Sequence, residues 1–263
     1  MQRAFFLFGF GACLLIGCAK GDDLLVGGGG SGAGDSGTGG ETSTTTTTGP
    51  GATTSTGPGC SEQPCKLGVP QCGCAADEQC SVGADDERAC EAAGTVGWGQ
   101  SCNGGLACAP GFLCAGYAND KLSCAKFCNG DSDCEAPGGL CAINLNGQNN
   151  QPIPGVTLCS QNCNLVTNSG CQVSGTSCQL GLRDQDPFTL CAPSGTGVYQ
   201  TLCADNAECA AGHVCLPTTN NDDRCFQWCQ NGGGCPNGLT CQTLEVSAGV
   251  PLTIGGVTFG ACT

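Results

Sequence analysis

Sulfur is the reactive element this sequence supplies in quantity. There are 28 cysteines in 263 residues, against a single histidine, His213. Cysteine can ligate metal, attack a substrate, shuttle electrons or cross-link, and spacing separates these uses. Zinc sites combine two closely spaced pairs. Close pairs occur at Cys124–Cys128, Cys159–Cys163 and Cys225–Cys229, but none has a second pair at finger-like distance. Cys72-Gly73-Cys74 has one intervening residue, where a thioredoxin-like redox pair needs two. His213 sits in a Gly-His-Val turn between Cys209 and Cys215 and reads as structural or exposed. No Ser-His-Asp or Cys-His set can be built without it. Gly27–Gly30 follows no strand and cannot be a phosphate loop. Calcium would use carboxylates and carbonyls. Asn129-Gly130-Asp131-Ser132-Asp133 and Asp222-Asp223 are the candidates, but neither fits an EF-hand loop, so both read as solvated acidic turns. The expectation is cross-linking sulfur, no enzyme, no metal and no cofactor.

The spacing of the cysteines supports this. Cys102, Cys108, Cys114, Cys124 and Cys128 are separated by 5, 5, 9 and 3 residues. Cys203, Cys209, Cys215, Cys225 and Cys229 repeat those intervals 101 positions later. A framework of cysteines, rather than apolar periodicity, specifies the fold. The expected fold class is small and disulfide-rich: tandem four-cysteine units with short β-hairpins and loops, and little or no helix after the signal peptide.

Five units follow: Cys102–Cys124, Cys128–Cys159, Cys163–Cys191, Cys203–Cys225 and Cys229–Cys262. Cys163–Cys191 stands alone between two longer modules, as a half module. If half modules can be gained or lost, each should close its own bonds. Four cysteines allow three connectivities. We take the interleaved one, first to third and second to fourth. It gives Cys102–Cys114, Cys108–Cys124, Cys128–Cys141, Cys134–Cys159, Cys163–Cys178, Cys171–Cys191, Cys203–Cys215, Cys209–Cys225, Cys229–Cys241 and Cys235–Cys262. The segment Cys60–Cys90 carries a relic of the unit in the spacing of Cys74, Cys80 and Cys90, with extra cysteines that leave its pairing open.

Local signals place hairpins around this framework. Gly111, Gly212 and Gly238 lie between second and third cysteines, where a positive φ would turn the chain. Ala142–Leu145 and Val156–Leu158 flank a polar tip at Asn146–Pro154. Leu180–Leu182 and Phe188–Leu190 flank Arg183–Pro187, and Thr243–Val246 and Val257–Phe259 flank a more apolar tip. Gly94-Thr95 aligns with Gly195-Thr196, and Trp98 with Tyr199, both expected to pack on a neighbouring disulfide.

Composition and termini bound the rest. Four of nine phenylalanines lie in the first ten residues, which leaves few aromatics for one large core. Such a chain needs covalent staples, and these persist only in an oxidising compartment. The formal net charge of −14 excludes nucleic acid as an expected partner. Met1-Gln2-Arg3 precedes the uncharged run Ala4–Ile16, a secretory signal too short to span a bilayer. Gly27–Gly59 is almost wholly Gly, Ser, Thr and Pro, and reads as a disordered tether averaging about 30 Å. The expected organisation is a signal at 1–17, lipidated Cys and tether at 18–59, a six-cysteine segment at 60–98, an eight-cysteine module at 99–160, the half module at 161–193 and an eight-cysteine module at 194–263.

Leu15-Ile16-Gly17-Cys18 resembles the bacterial lipoprotein lipobox, which implies acylation of Cys18. Ala19 in place of Asp then implies the outer membrane, with plain secretion as the alternative if the lipobox is not used. Leu202-Cys203-Ala204-Asp205-Asn206-Ala207-Glu208-Cys209-Ala210-Ala211-Gly212-His213-Val214-Cys215 resembles cysteine-rich modules of the Dickkopf N-terminal and EB types. Lipobox, tether and modules together resemble cysteine-rich surface lipoproteins of myxobacteria. The resemblance implies an envelope protein whose lipid is held in the membrane and whose modules meet an extracellular protein or glycan. A passive envelope component, or a protease inhibitor using Arg183–Pro187, are the alternatives.

Overall fold

The computed structural model describes residues 60–263, apart from 84, 103–106, 117–120, 148 and 150, together with the backbone of Leu25–Val26. Cys18, the signal segment and the Gly/Ser/Thr tether lie outside the described residues. The described chain is built of strands and hairpins, with two 3₁₀ turns at Asp131–Asp133 and Asn206–Glu208.

In chain order the strands are β1 (Leu25–Val26), β2 (Glu78–Val82), β3 (Arg88–Ala92), β4 (Phe112–Gly116), β5 (Leu122–Lys126), β6 (Cys141–Asn146), β7 (Pro152–Cys159), β8 (Thr176–Arg183) and β9 (Asp186–Pro193). They continue with β10 (His213–Pro217), β11 (Asp223–Gln230), β12 (Cys241–Thr243), β13 (Glu245–Ser247), β14 (Val250–Pro251), β15 (Thr253–Ile254) and β16 (Val257–Cys262). β2–β3, β4–β5, β6–β7, β8–β9 and β10–β11 are antiparallel hairpins. β16 pairs with β11, β12 and β15. β1 adds to the free edge of β4, just before the tether expected at Gly27–Gly59.

One rule positions the cysteine-clasped hairpins. The third and fourth cysteines of a unit face each other in register: Cys80 and Cys90, Cys114 and Cys124, Cys141 and Cys159, Cys178 and Cys191, Cys215 and Cys225, Cys241 and Cys262. They do not bond to each other. Each reaches back to a cysteine of the preceding loop, so two bonds clamp that loop across the base of its hairpin.

The 101-residue repeat is present in the backbone bonding. Gly94 N–H donates to the Cys108 carbonyl, as Gly195 does to Cys209. Ala109 donates to Val96 as Ala210 does to Gly197, and Cys124 to Gln100 as Cys225 does to Thr201. Gly99 and Gln200 donate to the fourth-cysteine carbonyls Cys124 and Cys225, and both take φ 69°. Residues 94–98, counted above with the first segment, are therefore bonded into the unit that follows. Glycine is required at the start of each spacer, because a Cβ on Gly94 or Gly195 would overlap the carbonyl of Ala107 or Glu208.

Apolar packing crosses the unit boundaries. Leu67, Val82, Leu113, Phe127, Leu145 and Leu158 form one core shared by the six-cysteine segment and the units Cys102–Cys124 and Cys128–Cys159. Leu165, Leu180, Val214, Trp228, Leu252 and Phe259 form a second, shared by the last three. Phe188 and Leu190 pack on Leu140 and Ile143 between them. The few aromatics thus serve two pooled cores, and Trp228 meets Phe259 edge-to-face at 6.4 Å.

Three sequence expectations are corrected. The tip expected at Asn146–Pro154 is shorter, because β7 begins at Pro152 and Ile153 is buried in the first core. Gly155, at φ 70°, breaks the alternation that would have shown this. The tip expected at Arg183–Pro187 reduces to Asp184-Gln185, with Asp184 at φ 58°. Pro187 lies opposite Leu182, next to the closing pair Arg183 and Asp186. The third hairpin is interrupted: β12 pairs with β16, while β13–β14 forms a separate small hairpin before β15 returns to β16.

Candidate functional site

The sulfur chemistry comes first. The structure joins Cys102–Cys114, Cys108–Cys124, Cys128–Cys141 and Cys134–Cys159. It also joins Cys163–Cys178, Cys171–Cys191, Cys203–Cys215, Cys209–Cys225, Cys229–Cys241 and Cys235–Cys262. The first segment holds Cys60–Cys72, Cys65–Cys80 and Cys74–Cys90. The last two are the same interleaved pair with Cys65 as first cysteine, and Cys60–Cys72 is the addition. Within a unit the sulfurs converge: Cys102, Cys108 and Cys124, for example, lie within 4.8 Å of one another. As disulfides they have no thiolate to offer a metal.

Polar residues complete the clamp, and sequence reasoning did not find them. The backbone N–H of the third cysteine points away from its hairpin partner and needs an acceptor. Gln71 Oε1 takes it from Cys80 at 3.1 Å, and Asp131 Oδ1 from Cys141 at 2.9 Å. Asn168 Oδ1 takes it from Cys178 at 2.6 Å, and Asn206 Oδ1 from Cys215 at 2.8 Å. The signal was an Asx or Gln in the first-to-second cysteine stretch. Its offset from the first cysteine varies, but it always stands three positions before the second, ahead of Cys74, Cys134, Cys171 and Cys209, where the remaining two units carry Gly105 and Gly232.

The candidate calcium and inhibitor groups turn out to be partners of one another. Arg183 forks onto Asp131, with Nη1 and Nη2 each 2.8 Å from a carboxylate oxygen, and Nη1 also reaches the Cys141 carbonyl at 3.1 Å. The bond from Arg183, helped by the Cys141 N–H, lowers the Asp131 pKa to about 2 and raises that of Arg183. A guanidinium in that fork occupies the face a calcium ion would need. The same bond withdraws Arg183 from the free presentation that a protease specificity pocket requires. Asp133 accepts from the Asn129 N–H at 2.8 Å. Asp222 is bonded by Arg224 and Thr218, which lower its pKa in that order.

Trp98 packs edge-on to Phe112 at 6.2 Å, and Tyr199 to Phe226 at 5.9 Å. His213 places Nδ1 3.1 Å from the Ala211 carbonyl, bending over its own turn. A cleft opens where the units Cys102–Cys124, Cys128–Cys159 and Cys163–Cys191 meet, lined by Gly99, Lys121, Ser123, Gln161, Gln172 and Leu190 among others. No helix of the described residues is long and apolar enough to cross a membrane.

What this arrangement can do is hold loops rigidly. Two disulfides brace the base of each cysteine-clasped hairpin, and backbone hydrogen bonds hold the spacers before the two larger modules. No family model, no curated protein and no solved structure matches this chain.

Proposed function

We propose that this chain is a lipid-anchored surface protein that presents disulfide-braced modules for contact with extracellular proteins or glycans, and that it performs no catalysis. The observation that carries the reading is that every cysteine from Cys60 to Cys262 is spent on a cross-link. Sulfur used this way belongs to an oxidising compartment and makes a rigid scaffold. Loops on rigid scaffolds are where binding concentrates. The lipobox-like Leu15–Cys18 supplies an anchor, with Cys18 acylated in the outer membrane and the modules facing the exterior. A single acyl chain binds reversibly, whereas two or three hold firmly.

The test has two arms. Radiolabelled palmitate should enter the wild-type protein and not Cys18→Ala, which should be found in the medium. Cells lacking the protein should lose surface adhesion or aggregation, and regain it when the gene is restored. Unchanged adhesion in the deletion strain would instead favour a passive envelope component.

A further inference from the structure

The internal repeat provides its own control experiment. Positions 97–101 and 198–202 share the backbone bonding described above, so the fold makes the same demands on both. Their surroundings differ. In the first copy Gly99 is buried, with the Gln161 and Gln172 amides lying over it. Gly97, Trp98 and Ser101 are half-buried. In the second copy the corresponding face is bare: Val198 is 56% exposed, Tyr199 36% and Leu202 61%.

The substitutions run against what folding would select. Gly97 in the covered copy is replaced by Val198 in the bare copy, and Ser101 by Leu202. The larger apolar groups stand where water reaches them. The backbone does not need them, because Gly and Ser serve the first copy. Exposed apolar groups that the scaffold does not require mark a contact surface.

Charge says what kind of partner fits. Leu202 faces Arg224 across a bridge, and the Arg224 guanidinium is held by Asp222 at 2.6 Å. Cys203 donates to the carbonyl of exposed Asp223, and Gly197 to that of exposed Glu208. Asp205, Glu208, Asp222 and Asp223 replace Gly104, Ala107, Lys121 and Leu122 of the first copy. The residues flanking the three apolar side chains along the chain and across the bridge thus make a rim with three carboxylates beyond the Asp222–Arg224 pair, which the first copy lacks. Two such rims would repel each other, which argues against a second copy of the chain as occupant.

We propose that Val198, Tyr199 and Leu202, with this rim, dock a protein segment that carries apolar side chains interspersed with lysine or arginine. The proposal rests on the reading of the modules as extracellular protein-binding units, and names the face and the partner chemistry.

The experiment uses the full chain in neutral-lipid nanodiscs, with empty discs subtracted. The probe is a fluorescent peptide of alternating Leu and Lys, with a Leu/Glu peptide as control. Wild type should bind the Leu/Lys peptide and not the Leu/Glu peptide, and salt should weaken binding. Val198→Gly with Leu202→Ser installs the residues of the first copy, so the scaffold tolerates them. This variant should melt like wild type and bind about tenfold more weakly or worse. Val250→Ser, at an exposed apolar group elsewhere, should bind like wild type. Undiminished binding by the double variant, or equal binding of the Leu/Glu peptide, overturns the proposal. So does a sedimenting dimer that the double variant dissolves, since the face would then belong to a second copy. On cells, adhesion lost on deletion but kept by the double variant refutes this inference alone, whereas adhesion unaffected by deletion refutes the functional reading beneath it.

Discussion

Asn206→Ala removes one side-chain amide and tests how the units are closed. Asn206 is 8% exposed, and its Oδ1 accepts the Cys215 N–H at 2.8 Å. β10 is the edge of its sheet, and Cys215 faces Cys225 on β11. The N–H and carbonyl of Cys225 are taken by Thr201 and Gln200 of the spacer. The Cys215 N–H therefore points outward from the hairpin into buried space, where alanine offers no acceptor. An unsatisfied buried donor costs about 1–3 kcal/mol. Taking about 2 kcal/mol, amide exchange at Cys215 should accelerate about thirtyfold. Melting of the body built on the second core, residues 163–263, should fall by about 8–16 °C. Asn206→Asp keeps an acceptor and should recover most of the loss, as Asp131 does the same task for Cys141. Hydrogen exchange by mass spectrometry and calorimetry read both quantities. Protection at Cys215 that survives Asn206→Ala, with melting unmoved, would refute the reasoning.

Other perturbations bear on the same framework. Gly94→Ala and Gly195→Ala should each cost about 1–3 kcal/mol in guanidinium denaturation, because both Cβ atoms meet a carbonyl, whereas Gly130→Ala, with open space around it, should be neutral. Cys163→Ser with Cys178→Ser opens a bond closing 15 positions and should cost about 3 kcal/mol, read as a lower denaturation midpoint. The Asp131 pKa lies at about 2, below its ordinary value of 3.8. The Asp131–Arg183 pair should therefore contribute fully above about pH 4, and its contribution should vanish as pH falls through about 2. Melting followed against pH should show that loss in wild type and a flatter acid limb in Asp131→Asn.

The sequence was informative where spacing carries the information and silent where three-dimensional proximity does. Cys102 to Cys128 and its copy 101 positions on made the unit visible, because a disulfide fixes how much chain lies between its ends. In the first segment the loop from Cys65 to Cys74 is longer and Cys60–Cys72 crosses it, so only the intervals from Cys74 to Cys80 and from Cys80 to Cys90 matched the template and the pairing stayed open. Pro187 was placed in the tip Arg183–Pro187, although it sits in β9 opposite Leu182. The pooled cores were out of reach, since Leu145 and Leu67 touch only once three units have folded together. The pairing of Asp131 with Arg183 joins residues 52 positions apart, and nothing local announces it.

Peptide mapping under non-reducing conditions bears most directly on the sulfur framework. Envelope-purified protein, alkylated without reductant and digested, should yield the linked peptides Cys163–Cys178 and Cys171–Cys191, and no label anywhere from Cys60 to Cys262. Linked peptides joining Cys163 to Cys171, or alkylated thiols within the units, would contradict it.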